Sequence, residues 1–314
     1  MKLVCPHCHA ELPDSEHWAE GANPCPACRA EFHKSNSVLR FLKNEGYSDN
    51  FGYEWLKHSR LYFTDDEIAS TIRTLNKLGL DQDTVRDKLV LDLGSGTGRF
   101  TSILQAWNAK RVVAVDMSQA IDVTVENTKA RPNATYVQAD LMNLPFGESE
   151  FDIILAWGVL HHTPSTRKAF QAVVRHLKQG GSMHIYVYGT TKQIRRKVIT
   201  LYRKITPKLP KTVLYALCRL AVPLYYVYKI PVIGAILRTI LPISHQPKRE
   251  LRVLETFDDY SPKYAWRHSF PEVFEWFSEA GFADITIKNP PVFVYGRLAG
   301  RDNQIRHEFH ARAQ

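Results

Sequence analysis

Between Lys88 and Tyr188 short β-branched runs alternate with helical stretches, and this alternation constrains the fold more than any other feature. Lys88–Leu93 reads as a buried strand running into a Gly-rich turn, followed by a helix from Thr97 to Trp107. Arg111–Val115 is a second strand that ends at Asp116, with Ser118 placed to cap the next helix. Ala134–Gln138 ends at Asp140, and Phe151–Trp157 precedes a helix over Ser165–Leu177. Gly180-Gly181 punctuates before a fifth strand, Ser182–Tyr188. Farther on, a helix over Pro271–Ala280 closes at Gly281, and two more strands follow, Asp284–Lys288 and Val292–Tyr295. Strands separated by helices need crossovers, and crossovers make parallel sheets covered on both faces. The expectation is an α/β fold, a Rossmann-like, seven-stranded, mostly parallel sheet whose final hairpin supplies an antiparallel strand.

The carboxyl ends of such strands form the crevice where nucleotides bind. Here the first strand ends in Asp92-Leu93-Gly94-Ser95-Gly96-Thr97-Gly98. Glycines there let the chain turn tightly and let a ligand approach the backbone. Asp116, ending the second strand, is placed to accept hydrogen bonds from ribose hydroxyls. The dinucleotide fingerprint would put a third Gly where Arg99 stands, and Asp92 would repel a pyrophosphate while suiting a cationic amino-acid group. A nicotinamide cofactor is therefore disfavoured.

The segments LVLDLGSGTGRF, VVAVDMS, VQADLMNLPF and FDIILAWGVLHHTP resemble the successive motifs of class I S-adenosylmethionine-dependent methyltransferases. They are most similar to the group that includes the ubiquinone and menaquinone biosynthesis enzymes. The resemblance implies S-adenosylmethionine as cofactor. It implies that Asp92, Gly94, Ser95, Gly96, Thr97 and Gly98 line its methionine end. Asp116, with Met117 beside it, takes the ribose. Asp140 and the backbone of Leu141 face the adenine, and Trp157 completes the set. Methyl transfer from a sulfonium relies on in-line positioning and exclusion of water. A hydroxyl or enol-like acceptor also gains from a general base. Candidates are His161 and His162 after the fourth strand, and Tyr264 and His268 in DDYSPKYAWRHSF; the paired histidines can equally order their loop.

Four of the five cysteines form two C-x-x-C pairs, Cys5/Cys8 and Cys25/Cys28, sixteen residues apart. That is zinc-ribbon spacing, and four thiolates close a structural site with no open position. His7 and His9 are superfluous as ligands and read as surface residues. A ribbon ahead of such a domain also resembles the guanine-N1 methyltransferases of ribosomal RNA, in which the ribbon helps bind RNA. RNA methylation is thus one alternative, and a non-catalytic cofactor-binding module is another. The intact turn and the three acidic strand ends argue against the latter.

The 314 residues and 44% apolar content allow a sizeable core with appendages. The expected organisation is a zinc ribbon (1–32), a helical cap (33–84), the cofactor-binding core (85–189), a helical insertion (190–250), and the end of the core with a tail (251–314). No internal repeat stands out. No export signal and no long uncharged apolar run is present, so a cytoplasmic protein is expected.

Charge is concentrated in the insertion. From Lys192 to Arg252 there are fourteen Lys or Arg against one Glu, so this stretch carries +13 and the rest of the +9 chain sums to −4. Ile194, Val198, Leu201, Tyr202 and Ile205 share one helical face, with basic residues on the other. Such a helix suits an anionic membrane surface, an RNA backbone, or a plain lid with solvated charges. Cys218 reads as a buried small hydrophobe, and RHEFHARAQ as an exposed tail rather than an H-E-x-x-H metal motif. The sequence favours a small, hydrophobic, lipid- or quinone-like acceptor and leaves the oligomeric state open.

Overall fold

The computed structural model describes residues 1–42, 46–190, 194–288 and 292–299. The segment expected to be an exposed tail, and Lys192 of the basic stretch, lie outside the described residues. Strands β1 (Gly21–Pro24), β2 (Glu31–Ser35) and β3 (Val38–Arg40) come first, followed by helices α1 (Asp49–Lys57), α2 (Asp65–Lys77) and α3 (Gln82–Val85). The alternating segment is β4 (Leu89–Leu93), α4 (Arg99–Ala106), β5 (Arg111–Asp116), α5 (Ala120–Thr128), β6 (Ala134–Gln138), β7 (Phe151–Trp157), α6 (Thr166–Val174) and β8 (Leu177–Val187). The insertion holds α7 (Ile194–Tyr202), α8 (Lys211–Cys218), α9 (Ala221–Val227) and α10 (Pro231–Ile240). Then come α11 (Arg249–Tyr260), α12 (Phe270–Glu279), β9 (Phe282–Lys288) and β10 (Val292–Leu298).

Seven strands form the expected sheet in the order β6-β5-β4-β7-β8-β10-β9. β10 runs antiparallel to both β8 and β9, and the other neighbouring pairs within β6–β8 are parallel. Gly180-Gly181 does not end a helix-to-strand loop. It lies inside β8, where the register with β7 shifts between Phe151 and Ile153. A Cβ on Gly181 would stand 2.9 Å from the Asp152 carbonyl, so the chain passes there only without a side chain.

The sheet is longer than the sequence suggests, because β1, β2 and β3 extend it beyond β6 to ten strands. β3 pairs in parallel with β6, Val38 opposite Tyr136 and Arg40 opposite Gln138. Residues 33–40, expected to begin a helical cap, are therefore a strand, a tight turn and a second strand. The reason is a two-residue turn: Ser35 pairs with Val38, and Asn36 and Ser37 both have positive φ (53° and 65°). That is the geometry of a type I′ hairpin, which Asn favours. The helices of that segment begin only at Asp49.

The ribbon also contains a short repeat. CPHCHA (5–10) and CPACRA (25–30) form two matching turns. The first cysteine of each bonds across to the alanine (Cys5 N to Ala10 O and Cys25 N to Ala30 O, both 2.8 Å), and His9 and Arg29 occupy equivalent positive-φ positions. Leu3, Trp18, Phe32 and Phe41 of this module are buried in the same cluster as Leu93, Val115, Val137 and Ile154 of the sheet.

The insertion is attached differently. Ile199, Leu214 and Cys218 are buried against Val253, Phe257 and Tyr260 of α11. The face of α7 on which Ile194 and Leu201 lie is turned outward, as is Ile205 just beyond it, and each of these is at least 60% exposed. It is the arginines that turn inward. Arg195 and Arg196 each reach Asp259 at 2.8 Å, and Arg203 Nε donates to the Asp259 carbonyl at 2.7 Å. α10 likewise exposes Val232, Ile233, Ile236 and Ile240. Among the described residues no helix is long and apolar enough to cross a membrane.

Candidate cofactor and acceptor site

A cavity of about 270 Å³ opens at the carboxyl ends of the parallel strands. On one side stand the Gly-rich turn after β4 and the end of β5. The turn is locked by its own backbone: the Gly94 and Ser95 N–H groups both donate to the Val115 carbonyl (2.8 and 3.0 Å). Gly94 has φ 68°, and a Cβ there would lie 2.8 Å from the Val159 side chain. Only glycine meets both demands.

Asp116 is buried and held from two sides. Gly96 N–H donates to Oδ2 at 3.0 Å, and Ser118 donates to Oδ1 through N–H (2.8 Å) and hydroxyl (2.7 Å). Asp92 lies beneath the turn with Thr101 Oγ1 donating to its Oδ2 at 2.6 Å; burial raises its carboxyl to about 6. Of the residues expected to meet the cofactor, Gly94, Ser95, Gly96, Thr97, Asp116, Met117, Leu141 and Trp157 line the cavity. Asp92, Gly98 and Asp140 stand behind the lining. Gly98 starts α4 in the left-handed region, and Asp140 accepts from the Tyr47 hydroxyl (2.8 Å) and the Met142 N–H (2.9 Å).

The four base candidates separate clearly. His162 lines the cavity; its Nδ1–H donates to the Tyr264 carbonyl at 2.8 Å, which leaves Nε2 carrying the lone pair. Burial lowers its pKa, so the ring is neutral. His161 is fully buried, out of the lining, and tilted against the Tyr188 ring with centroids 3.9 Å apart. His268 is spent on structure, with Nδ1 on Glu272 (2.8 Å) and Nε2 on Thr166 (2.9 Å). Tyr264 lies outside the lining too and contributes its carbonyl to His162. As groups placed to touch a substrate, His161, His268 and Tyr264 are thus corrected by packing.

The opposite wall comes from elements that carry no motif. α1 supplies Phe51, Glu54 and Trp55; β8 and the residue after it supply Tyr186 and Tyr188; α11 supplies Leu254, Glu255 and Asp258. Trp55 closes over the turn, its indole 3.3 Å from where a Gly96 Cβ would be. A strongly aromatic stretch, FGYEWLKHSRLYF, was the one available hint of this wall.

In the ribbon, the sulfurs of Cys5, Cys8, Cys25 and Cys28 all lie within 4.8 Å of one another, with Cys5–Cys28 and Cys8–Cys25 at 3.7 Å. Thiolates bound to zinc at about 2.3 Å in a tetrahedron stand about 3.8 Å apart, so the set fits a structural zinc. His7 and His9 are exposed and outside the set.

A methyltransferase-domain family model matches residues 91–185. A protein of Encephalitozoon cuniculi, provisionally named a methyltransferase, is 32% identical over 157 residues, 48% of this chain and 70% of its own length. The chain belongs to the class I S-adenosylmethionine-dependent methyltransferases. A ubiquinone/menaquinone biosynthesis C-methyltransferase of Shewanella frigidimarina is 35% identical over 130 residues, 38% of this chain; the chain spans about half (51%) of that relative. A solved S-adenosylmethionine-dependent methyltransferase of Aquifex aeolicus aligns with 79% of this chain and 98% of its own at 15% identity, TM-score 0.44. S-adenosylmethionine is thus the methyl donor of this enzyme, and its residues fit that donor: a backbone turn open to a ligand and a carboxylate oriented at the end of β5.

Proposed function

We propose that this methyltransferase acts on a small apolar acceptor drawn from, or held near, a membrane surface. The observation that carries the reading is the inverted polarity of the insertion. Arg195 and Arg196 are spent on Asp259, while Ile194, Leu201, Val232, Ile233, Ile236 and Ile240 face solvent. Exposed apolar side chains gathered on consecutive short helices suit an interaction surface. Lys197, Lys204, Lys208 and Lys229 remain exposed among them, and the segment 153–249 contains no Asp or Glu. Apolar side chains ringed by cations suit the interface of an anionic bilayer. The aromatic wall of the cavity, with Phe51, Trp55, Tyr62, Tyr186 and Tyr188, suits an apolar acceptor body.

In this reading Asp116 takes the cofactor ribose, and the turn from Gly94 to Gly98 admits the methionine end. The closed aromatic wall excludes water while the acceptor meets the methyl group in line. His162, neutral and facing the cavity, accepts a proton where the acceptor releases one.

The test is transfer of a labelled methyl group from S-adenosylmethionine into extract of the host cells, followed by phase separation. Label in the organic phase is expected. Label confined to RNA or to small aqueous compounds overturns the acceptor reading. In parallel, Asp116→Asn should weaken S-adenosylhomocysteine binding about 10–100-fold, the size of a lost charge-assisted hydrogen bond pair.

A further inference from the structure

The deep wall of the cavity holds a charge arrangement that the methyl donor does not explain. Glu54 lines the cavity at 1% exposure, and its Oε2 has no hydrogen-bond partner. Asp258, on α11, lines the same cavity, and its charge acts on Glu54. Asp258 accepts the Tyr188 hydroxyl at 2.7 Å. The remaining acids of the lining are already engaged. Asp116 is bound to the turn, and Glu255 accepts from Ser244 (2.6 Å) and Gln246 (2.7 Å).

Among the described lining residues Arg99 is the one Lys or Arg. It does not answer Glu54: its guanidinium stacks 4.4 Å over Tyr62 and 4.5 Å over Phe100, and its charge acts on Asp92 and Glu67. Two carboxyls therefore line one cavity; the Arg203 guanidinium reaches Asp258 only at its backbone carbonyl (3.2 Å), and burial together with the Asp258 charge pushes the Glu54 carboxyl up, so that it keeps its proton until a cation joins it. Burial of an uncompensated charge is costly, and a ligand cation relieves it. Tyr62, Tyr186 and Tyr188 line the same space.

We propose that Glu54 and Asp258 form a receptor for a cationic nitrogen of the methyl acceptor, making the acceptor an apolar amine. The inference rests on the methyltransferase site described above and deepens it. Glu54 supplies the free carboxylate oxygen. Asp258 is oriented by Tyr188, and the aromatic wall seats the apolar body.

The experiment uses the full chain with zinc, saturated with S-adenosylhomocysteine, and three probes of one shape: phenethylamine, 2-phenylethanol and phenylacetate. Affinities are read by calorimetry or ligand-observed NMR. Phenethylamine should bind at least tenfold tighter than the alcohol, and phenylacetate weakest. Glu54→Gln and, separately, Asp258→Asn should each bring the amine-to-alcohol ratio towards one while leaving S-adenosylhomocysteine affinity within twofold. Equal binding of amine and alcohol overturns the proposal, as does a ratio unchanged in both variants. A parallel fall in S-adenosylhomocysteine affinity also overturns it, because the carboxyls then serve the donor's own ammonium. Failure of the unmodified protein to bind S-adenosylhomocysteine would instead strike at the methyl-transfer site itself.

Discussion

Two appendages flank one core, and they are joined to it by opposite means. The ribbon shares strands and a continuous apolar interior with the sheet: β3 pairs with β6, and Phe32, Trp18 and Phe41 pack into the main cluster. The insertion shares neither. It sits on α11 through a small cluster and a clamp of two arginines on Asp259, and it leaves Ile194, Leu201 and the aliphatic face of α10 outside. Apolar content alone does not say which way a segment faces; what decides is whether its polar groups find partners inside.

Metal removal should separate the two most sharply. Structural zinc sites contribute on the order of 10 kcal/mol, comparable with the whole stability of a domain. Chelation, or Cys25→Ser with Cys28→Ser, should unfold the ribbon and strip β6 of its neighbour. The expected drop in Tm exceeds 10 °C, with at least tenfold weaker S-adenosylhomocysteine binding, because Tyr47 of the segment after β3 holds Asp140. Calorimetry with and without chelator checks this; unchanged melting would mean that the ribbon is an independent ornament. The clamp of the insertion should matter less. Asp259→Ala leaves Arg195 and Arg196 without their partner in a partly exposed setting, for a loss of about 1–3 kcal/mol in urea unfolding. Ile233→Glu with Ile236→Glu should be nearly silent in stability, within about 0.5 kcal/mol, since both side chains already face water. The same pair should cut flotation with anionic vesicles at least tenfold. A large stability loss there would show that α10 is covered in solution.

The fold's centre was legible because its signals are local. β6 and β7 lie where their β-branched runs put them, and the acids at strand ends mark the crevice from within single segments. β3 escaped notice because three residues carry no period, and its evidence was the Asn36-Ser37 turn. The far wall of the site was illegible for another reason. Glu54 and Asp258 belong to helices brought together only by the fold; their neighbours Asn50 and Ser261, which are hydrogen-bonded, stand 211 positions apart in the chain. No spacing rule connects them. His268 resembled a catalytic group because a histidine near a site looks the same whether it faces substrate or, as here, ties α12 to Thr166. The amphipathic division of Arg195, Arg196 and Arg203 is legible in the sequence, but which face turns inward depends on Asp258 and Asp259, far along the chain.

The parallel pairing of β3 with β6 imposes an order in time. Arg40 and its partner Gln138 are separated by 98 residues. At about 5–20 residues per second, the ribbon leaves the ribosome roughly 5–20 s before its docking strand exists. During that interval Val38–Arg40 is an open edge, the kind of surface that recruits the wrong neighbour. Four thiolates that can take a metal at once give the nascent ribbon a shape of its own before the sheet is there to receive it. Zinc supplied during synthesis is therefore expected to raise the yield of assembled protein more than zinc added to the finished chain.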